Sequence, residues 1–133
     1  MPRHLSVKID SFPLKKAFNI SRGAKTAADV VTCTITDNGV SGWGECVPYK
    51  RYGETVEGVL EAIEAFAGPI SEGMSRQELQ SAMKPGAARN AIDCALWDLE
   101  AKLSGTRVST TACRILPRPV PTAVTISLGE PAQ

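Results

Sequence analysis

The first third of the chain alternates apolar and polar residues, which is the pattern of half-buried β-strands. Residues 5–12 read LSVKIDSF, and residues 29–36 read DVVTCTIT, rich in the β-branched residues that strands favour. Asn38-Gly39 follows, a dipeptide typical of a two-residue hairpin turn, and residues 40–47 (VSGWGECV) return as the antiparallel partner. The pattern therefore predicts three strands, the last two joined by a tight turn.

Two segments between and after these strands predict loops. Residues 14–28 keep no clean period, and residues 48–54 (PYKRYGE) begin with a strand-ending proline. Within the third strand, Gly42 and Gly44 indicate a bulge or the close approach of another backbone. Trp43, between them, is expected to pack in the core or between helix and sheet.

The middle of the chain changes to helical spacing. Apolar residues recur at i, i+3, i+4 and i+7 between residues 56 and 66, and Ser75 to Glu78 forms a capping box that opens a short helix. A third helix is predicted from about residue 87 to residue 104, with a glycine after its end. Because strands are grouped before helices, we expect an α+β fold in which a three-stranded antiparallel meander carries three helices on one face.

The end of the chain differs in composition. Residues 106–121 contain three prolines and are typical of a linker, and residues 122–128 (TAVTISL) predict a strand with no later segment to pair with. We therefore expect residues 1–105 to form one domain and residues 122–133 to begin a second. On this interpretation the sequence is truncated.

Charge and hydropathy exclude several classes of function. The 15 lysines and arginines against 14 aspartates and glutamates leave a net charge of +1, which gives no electrostatic basis for binding nucleic acid or an anionic membrane. No apolar run approaches the roughly 18 residues of a membrane span. The N-terminus also lacks the apolar stretch of a signal peptide, so a cytoplasmic location is expected.

No self-contained active site can be read from the chain, since it has no phosphate-binding glycine loop, nucleophile elbow or metal-spaced cluster. The four cysteines are widely spaced, which predicts reduced, mostly buried thiols. With a single histidine, His4, which is expected to be exposed to solvent, a zinc site is disfavoured. The two predicted loops do place cations beside apolar groups: Phe18, Ile20, Arg22 and Lys25 in the first, Tyr49, Arg51 and Tyr52 in the second. Such loops suit a small ligand with an apolar part and a carboxylate, although ordinary solvated loops have the same composition.

Two segments carry a resemblance to a known family. Residues 42–54 (GWGECVPYKRYGE) and 85–102 (PGAARNAIDCALWDLEAK) resemble the N-terminal capping domain of the enolase superfamily, and within it the dipeptide epimerases of the L-Ala-D/L-Glu epimerase type. The first loop, FNISRGAKT, and the order of elements agree, and the resemblance covers essentially the whole chain. It implies that residues 122–129 are the first strand of the β/α barrel that follows in that family.

The resemblance implies an isomerase of two domains, in which a proton is removed and returned α to a carboxylate. Two opposed lysines and three carboxylates holding Mg²⁺ would lie in the barrel, where the ion stabilises an enediolate. All of these residues would follow Gln133. We therefore assign no catalytic residue and no metal ligand to this chain, and we expect the chain alone to be inactive.

The capping domain would instead cover the barrel and set specificity. Lys25 matches a cationic substrate-binding position where related epimerases carry arginine, and Arg22 matches a neighbouring arginine. Thr125 matches a position that lines the substrate pocket, and Tyr52 is a further candidate in the second loop. The expected partners are a small dipeptide and the chain's own barrel domain, and the near-neutral surface is compatible with a homo-oligomer.

Two alternatives remain open. Another enzyme of the muconate-lactonizing subgroup, such as a cycloisomerase, an N-acylamino acid racemase or an o-succinylbenzoate synthase, would share the capping fold and differ in its loops. A non-catalytic α+β binding module is the second alternative. The unpaired strand after the proline-rich linker argues against that module.

Overall fold

A computed structural model describes residues 2–20 and 23–124 of the chain, in which an antiparallel sheet carries helices on one face. The strands are β1 (His4–Ile20), β2 (Gly23–Asp37) and β3 (Val40–Cys46), and their order in the sheet is β1-β2-β3. The predicted α+β meander is therefore confirmed. The Asn38-Gly39 turn joins β2 to β3 with positive φ at both residues, 48° and 82°, as such hairpin turns require.

The helices of the described residues all follow the sheet. They are α1 (Val56–Glu64), α2 (Ala67–Ser71), α3 (Arg76–Ala82), α4 (Ala87–Ser104) and α5 (Val108–Ala112), with a short 3₁₀ turn at Lys50–Tyr52. The capping box of Ser75 and Glu78 is confirmed at the start of α3. The prediction of only three helices is wrong, because α2 and α5 have five residues each and are too short to show a period. Pro69 lies in the first turn of α2, where no backbone N–H is needed.

Residues 14–28 do not form the predicted loop. Outside the undescribed residues 21 and 22 they continue β1 and β2 as a long antiparallel ribbon, which reaches the pair Ile20 and Gly23 after a register shift between Pro13 and Phe18. Residues 11–17 are exposed, so no face of the ribbon needs apolar side chains. The alternation of apolar and polar residues that marks a half-buried strand is therefore absent. Backbone pairing continues nevertheless, which places the outer part of the ribbon beside the loop after β3.

The core lies between one face of the sheet and the helices. Its fully buried side chains come from β2, α1, α2, α3 and α4: Val31, Cys33, Ile35, Ile63, Ile70, Leu79, Ile92, Leu96 and Leu99. Cys46 is also buried, whereas Cys94 and Cys113 are exposed, so the prediction of mostly buried thiols is correct for two of the four. His4 is exposed, as expected.

The two glycines of β3 bring α4 close to the sheet. A Cβ atom on Gly44 would overlap the carbonyl oxygen of Ala91 and lie 2.8 Å from the nitrogen of Ala95, so the predicted close approach of another backbone is confirmed. Trp43, between the glycines, is 64% exposed, so it does not pack in the core, although the ammonium of Lys102 in α4 lies 4.7 Å from the centroid of its ring. The glycines form the surface that the backbone of α4 approaches closely.

Side chains of α4 also bind the open edge of β3. Asp98 accepts the backbone N–H of Trp43 at 2.9 Å, and the ammonium of Lys102 donates to the carbonyl of Ser41 at 2.8 Å. Burial raises the pKa of Asp98, but the bonds from Lys102 and Trp43 outweigh it and leave the pKa below its usual value. These contacts satisfy part of an otherwise open strand edge. They fix α4 against the strand that leads into the second loop.

Candidate functional site

The outer ribbon and the loop after β3 face each other across a cleft of about 510 Å³. Apolar atoms of Leu14, Val47 and Val56 line part of this cleft. The charged residues of the lining are three cations and one carboxylate, Lys25, Lys50, Arg51 and Asp29. The carboxylate accepts a hydrogen bond of 2.6 Å from the hydroxyl of Ser11. The excess of positive charge beside apolar walls suits a small ligand that carries a carboxylate.

Lys25 reaches this cleft from β2. It pairs with Phe18 across the ribbon, and its ammonium lies 5.5 Å from the centroid of the Tyr49 ring. At this distance the ring quadrupole attracts the cation. The contact joins the ribbon to the second loop, and it brings one of the predicted substrate-binding residues to the mouth of the cleft.

Tyr52, three residues later in the same loop, also lies against the ring of Tyr49. The two ring centroids are 5.9 Å apart and the ring planes are tilted by 42°. Tyr52 is 76% exposed and lines a neighbouring cleft of about 570 Å³, not the cleft of Lys25. Two of the four candidate residues therefore meet on Tyr49. The other two, Arg22 and Thr125, lie outside the described residues.

The second loop is a tight turn held by its own backbone. The N–H of Tyr52 donates to the carbonyl of Tyr49 at 2.9 Å, and the N–H of Gly53 donates to the carbonyl of Lys50 at 3.0 Å. Gly53 closes the turn with a φ of +74°, a conformation that glycine adopts without strain. The turn presents both tyrosines outward from a defined backbone.

Glu54 is a residue of this site that the sequence did not single out. One carboxylate oxygen accepts the N–H of Tyr49 at 3.1 Å, and the other accepts the N–H of Ala87 at 2.7 Å. Ala87 is the first residue of α4, and the residue before it, Gly86, has no side chain to cap the helix. A glycine at the start of a predicted helix indicates that the helix needs a cap from elsewhere in the chain. The sequence does not reveal which distant carboxylate provides that cap.

The thiol of Cys46, just before this loop, is buried. Burial, followed by the negative charge of Glu54, raises the pKa of Cys46 to about 11. Its Sγ donates to the carbonyl of Val31 at 3.7 Å. Since the thiolate is the reactive form, burial and the raised pKa both favour a packing role for Cys46 in the core.

The described residues do not fit the magnesium ion that the resemblance implies. In residues 2–20 and 23–124 no three side chains of His, Cys, Asp or Glu gather where they could hold a metal ion. Asp29 is bonded to a hydroxyl and Glu54 to two backbone N–H groups. Mg²⁺ requires near-octahedral oxygen ligands, so any such site needs residues from outside this part of the chain. The same residues contain no helix of the length and hydropathy that crossing a bilayer requires.

Comparison with known proteins gives consistent similarities. Residues 4–110 match the family described as mandelate racemase / muconate lactonizing enzyme, N-terminal domain. The chain is 40% identical over 131 residues to the L-Ala-D/L-Glu epimerase of Escherichia coli K12. The aligned region covers 98% of this chain and 41% of that protein.

Two solved structures extend the comparison. An enolase family member from Agrobacterium tumefaciens, described as having homology to dipeptide epimerases and holding sodium and L-Ala-L-Glu, is 56% identical with a TM-score of 0.92, over 98% of this chain and 40% of that one. A dipeptide epimerase from Methylococcus capsulatus, complexed with Mg and L-Arg-D-Lys, is 28% identical with a TM-score of 0.80. The match covers 97% of this chain and 39% of that one. The chain thus spans about 40% of the length of these relatives.

Proposed function

The chain belongs to the mandelate racemase / muconate lactonizing enzyme family through its N-terminal domain, and on that premise we propose that it is the capping part of a dipeptide epimerase. Residues 1–105 would form the cap, residues 106–121 the linker, and residues 122–133 the start of a β/α barrel. The observation that carries the proposal is the cationic, partly apolar cleft beside Lys25 and Tyr49, in a chain 56% identical to a protein that holds L-Ala-L-Glu.

The proposed substrate is L-Ala-L-Glu or a similar dipeptide. Its acidic side chain would lie near the ammonium of Lys25, and its apolar atoms against the walls formed by Leu14, Val47 and Val56. Lysine presents a point charge, whereas arginine would offer a planar fork, so the carboxylate would be held by attraction more than by fixed geometry. Four free thiols support the expected cytoplasmic location, since such thiols persist in reducing compartments.

In the proposed reaction, a proton is removed from the carbon α to a carboxylate and a proton is then returned to it. The configuration at that carbon is inverted. The bases and the ligands of Mg²⁺, which stabilises negative charge next to that carbon, would lie outside this chain. The cap would bind the distal part of the dipeptide and orient it. By closing the ribbon and the second loop over the barrel, it would also exclude water from the reacting atoms.

The product of the complete reading frame should exchange the α-proton of its substrate with solvent. Incubated with Mg²⁺ and L-Ala-L-Glu in D₂O, it is expected to place deuterium at the α-carbon of the glutamate residue and to form L-Ala-D-Glu. Mass spectrometry and chiral chromatography measure the two products, and EDTA should stop both. A folded, metal-supplied enzyme that exchanges no dipeptide would contradict the proposal and favour a cycloisomerase or an N-acylamino acid racemase.

A further inference from the structure

We propose that Glu54 is a positioning residue, which acts through Tyr49 to place the loop side of the Lys25 cleft. The inference rests on the proposed function, because the cleft must bind substrate for its shape to matter. Glu54 itself does not line that cleft, so it is not assigned a contact with substrate. Its two carboxylate oxygens are both engaged by backbone N–H groups.

The first step of the argument is that Glu54 joins two separate elements. Its Oε2 accepts the N–H of Tyr49, five residues earlier in the same loop, and its Oε1 accepts the N–H of Ala87 at the start of α4. Charged acceptors give the stronger hydrogen bonds of proteins. The positive end of the dipole of an 18-residue helix also favours a carboxylate at this position. The side chain therefore fastens the loop to the helix.

The second step is that α4 is a fixed reference for the loop. The helix is held against β3 by the close approach at Gly42 and Gly44 and by the bonds of Asp98 and Lys102 to the strand edge. At its start, a Cβ on Gly86 would lie 2.9 Å from Oε1 of Glu54. The glycine thus leaves the room that the carboxylate occupies.

The third step leads from Tyr49 to the ligand side. The backbone of Tyr49 is bound by Glu54, and its ring is the surface that faces the ammonium of Lys25 at 5.5 Å and the ring of Tyr52 at 5.9 Å. Without the carboxylate, the N–H of Tyr49 and the first N–H of α4 both lose their acceptor. The loop is then free to move relative to Lys25. A ligand that binds this cleft must then also pay for ordering the loop, so its binding is weaker.

Steady-state kinetics of the complete enzyme can separate positioning from a purely structural role. For Glu54→Ala we expect KM for L-Ala-L-Glu to rise about tenfold while kcat stays nearly constant, which is the signature of lost binding. Glu54→Gln keeps one acceptor oxygen and should recover part of the loss. Glu61→Gln, which changes an exposed carboxylate on α1, is the matched control and should keep the wild-type KM.

A purely structural role gives a different result, because loss of folded enzyme lowers the apparent kcat and leaves KM unchanged. That result, in either Glu54 variant, would overturn the proposal, and Glu54→Gln decides alone if the alanine variant does not fold. A double-mutant cycle adds a second criterion. The effects of Glu54→Gln and Lys25→Met on KM should be non-additive, because both residues act on the same cleft, and additive effects would count against the role of Glu54.

Failure of the proposed function can be distinguished from failure of the role of Glu54. If the wild-type enzyme is inactive on every dipeptide, the proposed function itself is wrong. In that case, hydrogen exchange measures the positioning contacts without a substrate. The amides of Tyr49 and Ala87 should exchange faster in Glu54→Gln than in wild type, while the amide of Trp43, bound by Asp98, should not change. Unchanged exchange at Tyr49 would overturn the role of Glu54.

Discussion

Replacing Gly44 with alanine is expected to destabilise the domain by about 3 kcal/mol or more, the upper end of the range for overpacked cores. The added methyl would overlap the carbonyl oxygen of Ala91 and lie 2.8 Å from the nitrogen of Ala95. Both are backbone atoms of α4, so no side-chain rotation can relieve the overlap. The helix must move away from β3, which opens the core that lies between them.

Urea unfolding followed by circular dichroism measures this change. Gly68→Ala is the matched control, because its Cβ would meet no heavy atom within 4 Å and the residue has no positive φ. That control, in α2, should be neutral or stabilising by up to about 1 kcal/mol, since alanine restricts the unfolded chain. Equal midpoints for Gly44→Ala and wild type would contradict the close packing of α4 on β3.

Replacing Lys25 with methionine in the complete enzyme is expected to lower kcat/KM for L-Ala-L-Glu by about 10- to 100-fold, the range that corresponds to a hydrogen bond to a charged group. Methionine keeps an apolar chain of similar length and removes the charge. The effect should therefore depend on the substrate, and L-Ala-L-Leu, which has no acidic side chain, should lose little. Lys25→Arg should retain the preference for the acidic dipeptide.

Lys16→Met is the control for charge removal, because Lys16 is an exposed lysine of β1 on the same ribbon. Its kcat/KM for both dipeptides should equal that of wild type. Steady-state epimerisation, followed by chiral chromatography, gives the four ratios. An equal loss on both dipeptides in Lys25→Met would show that the lysine supports the loop and does not select the acidic group.

The fold could be predicted wherever one face of an element is buried. The strands around Val31 and the helix around Leu96 carry a clear period because one side must be apolar. The outer ribbon could not be predicted, since residues 11–17 are exposed and pairing through the backbone leaves no pattern in the side chains. The helices α2 and α5 could not be predicted either, because five residues are too few to show a helical period. Trp43 is exposed although its size favours burial, because its glycine neighbours take the buried positions of the strand.

The site was predictable in part. The resemblance named Lys25 and Tyr52, and the structure brings both to Tyr49, although only Lys25 lines the cationic cleft. Glu54 was not predicted, because its contacts join residues 33 positions apart and depend on how α4 packs against the loop. Sequence spacing carries information on contacts within one element. Contacts between elements follow from packing, which the pattern alone does not give.

A competition experiment tests the central claim most directly. The complete enzyme is incubated with Mg²⁺ in D₂O and an equimolar mixture of L-Ala-L-Glu, L-Ala-L-Leu and L-Ala-L-Lys, and mass spectrometry follows α-deuteration of each dipeptide over time. We expect L-Ala-L-Glu to be deuterated first and L-Ala-L-Lys last, because the cleft carries three cations and one carboxylate. Deuteration of L-Ala-L-Lys as fast as L-Ala-L-Glu, or of none of the three, would contradict an epimerase whose cap selects acidic dipeptides.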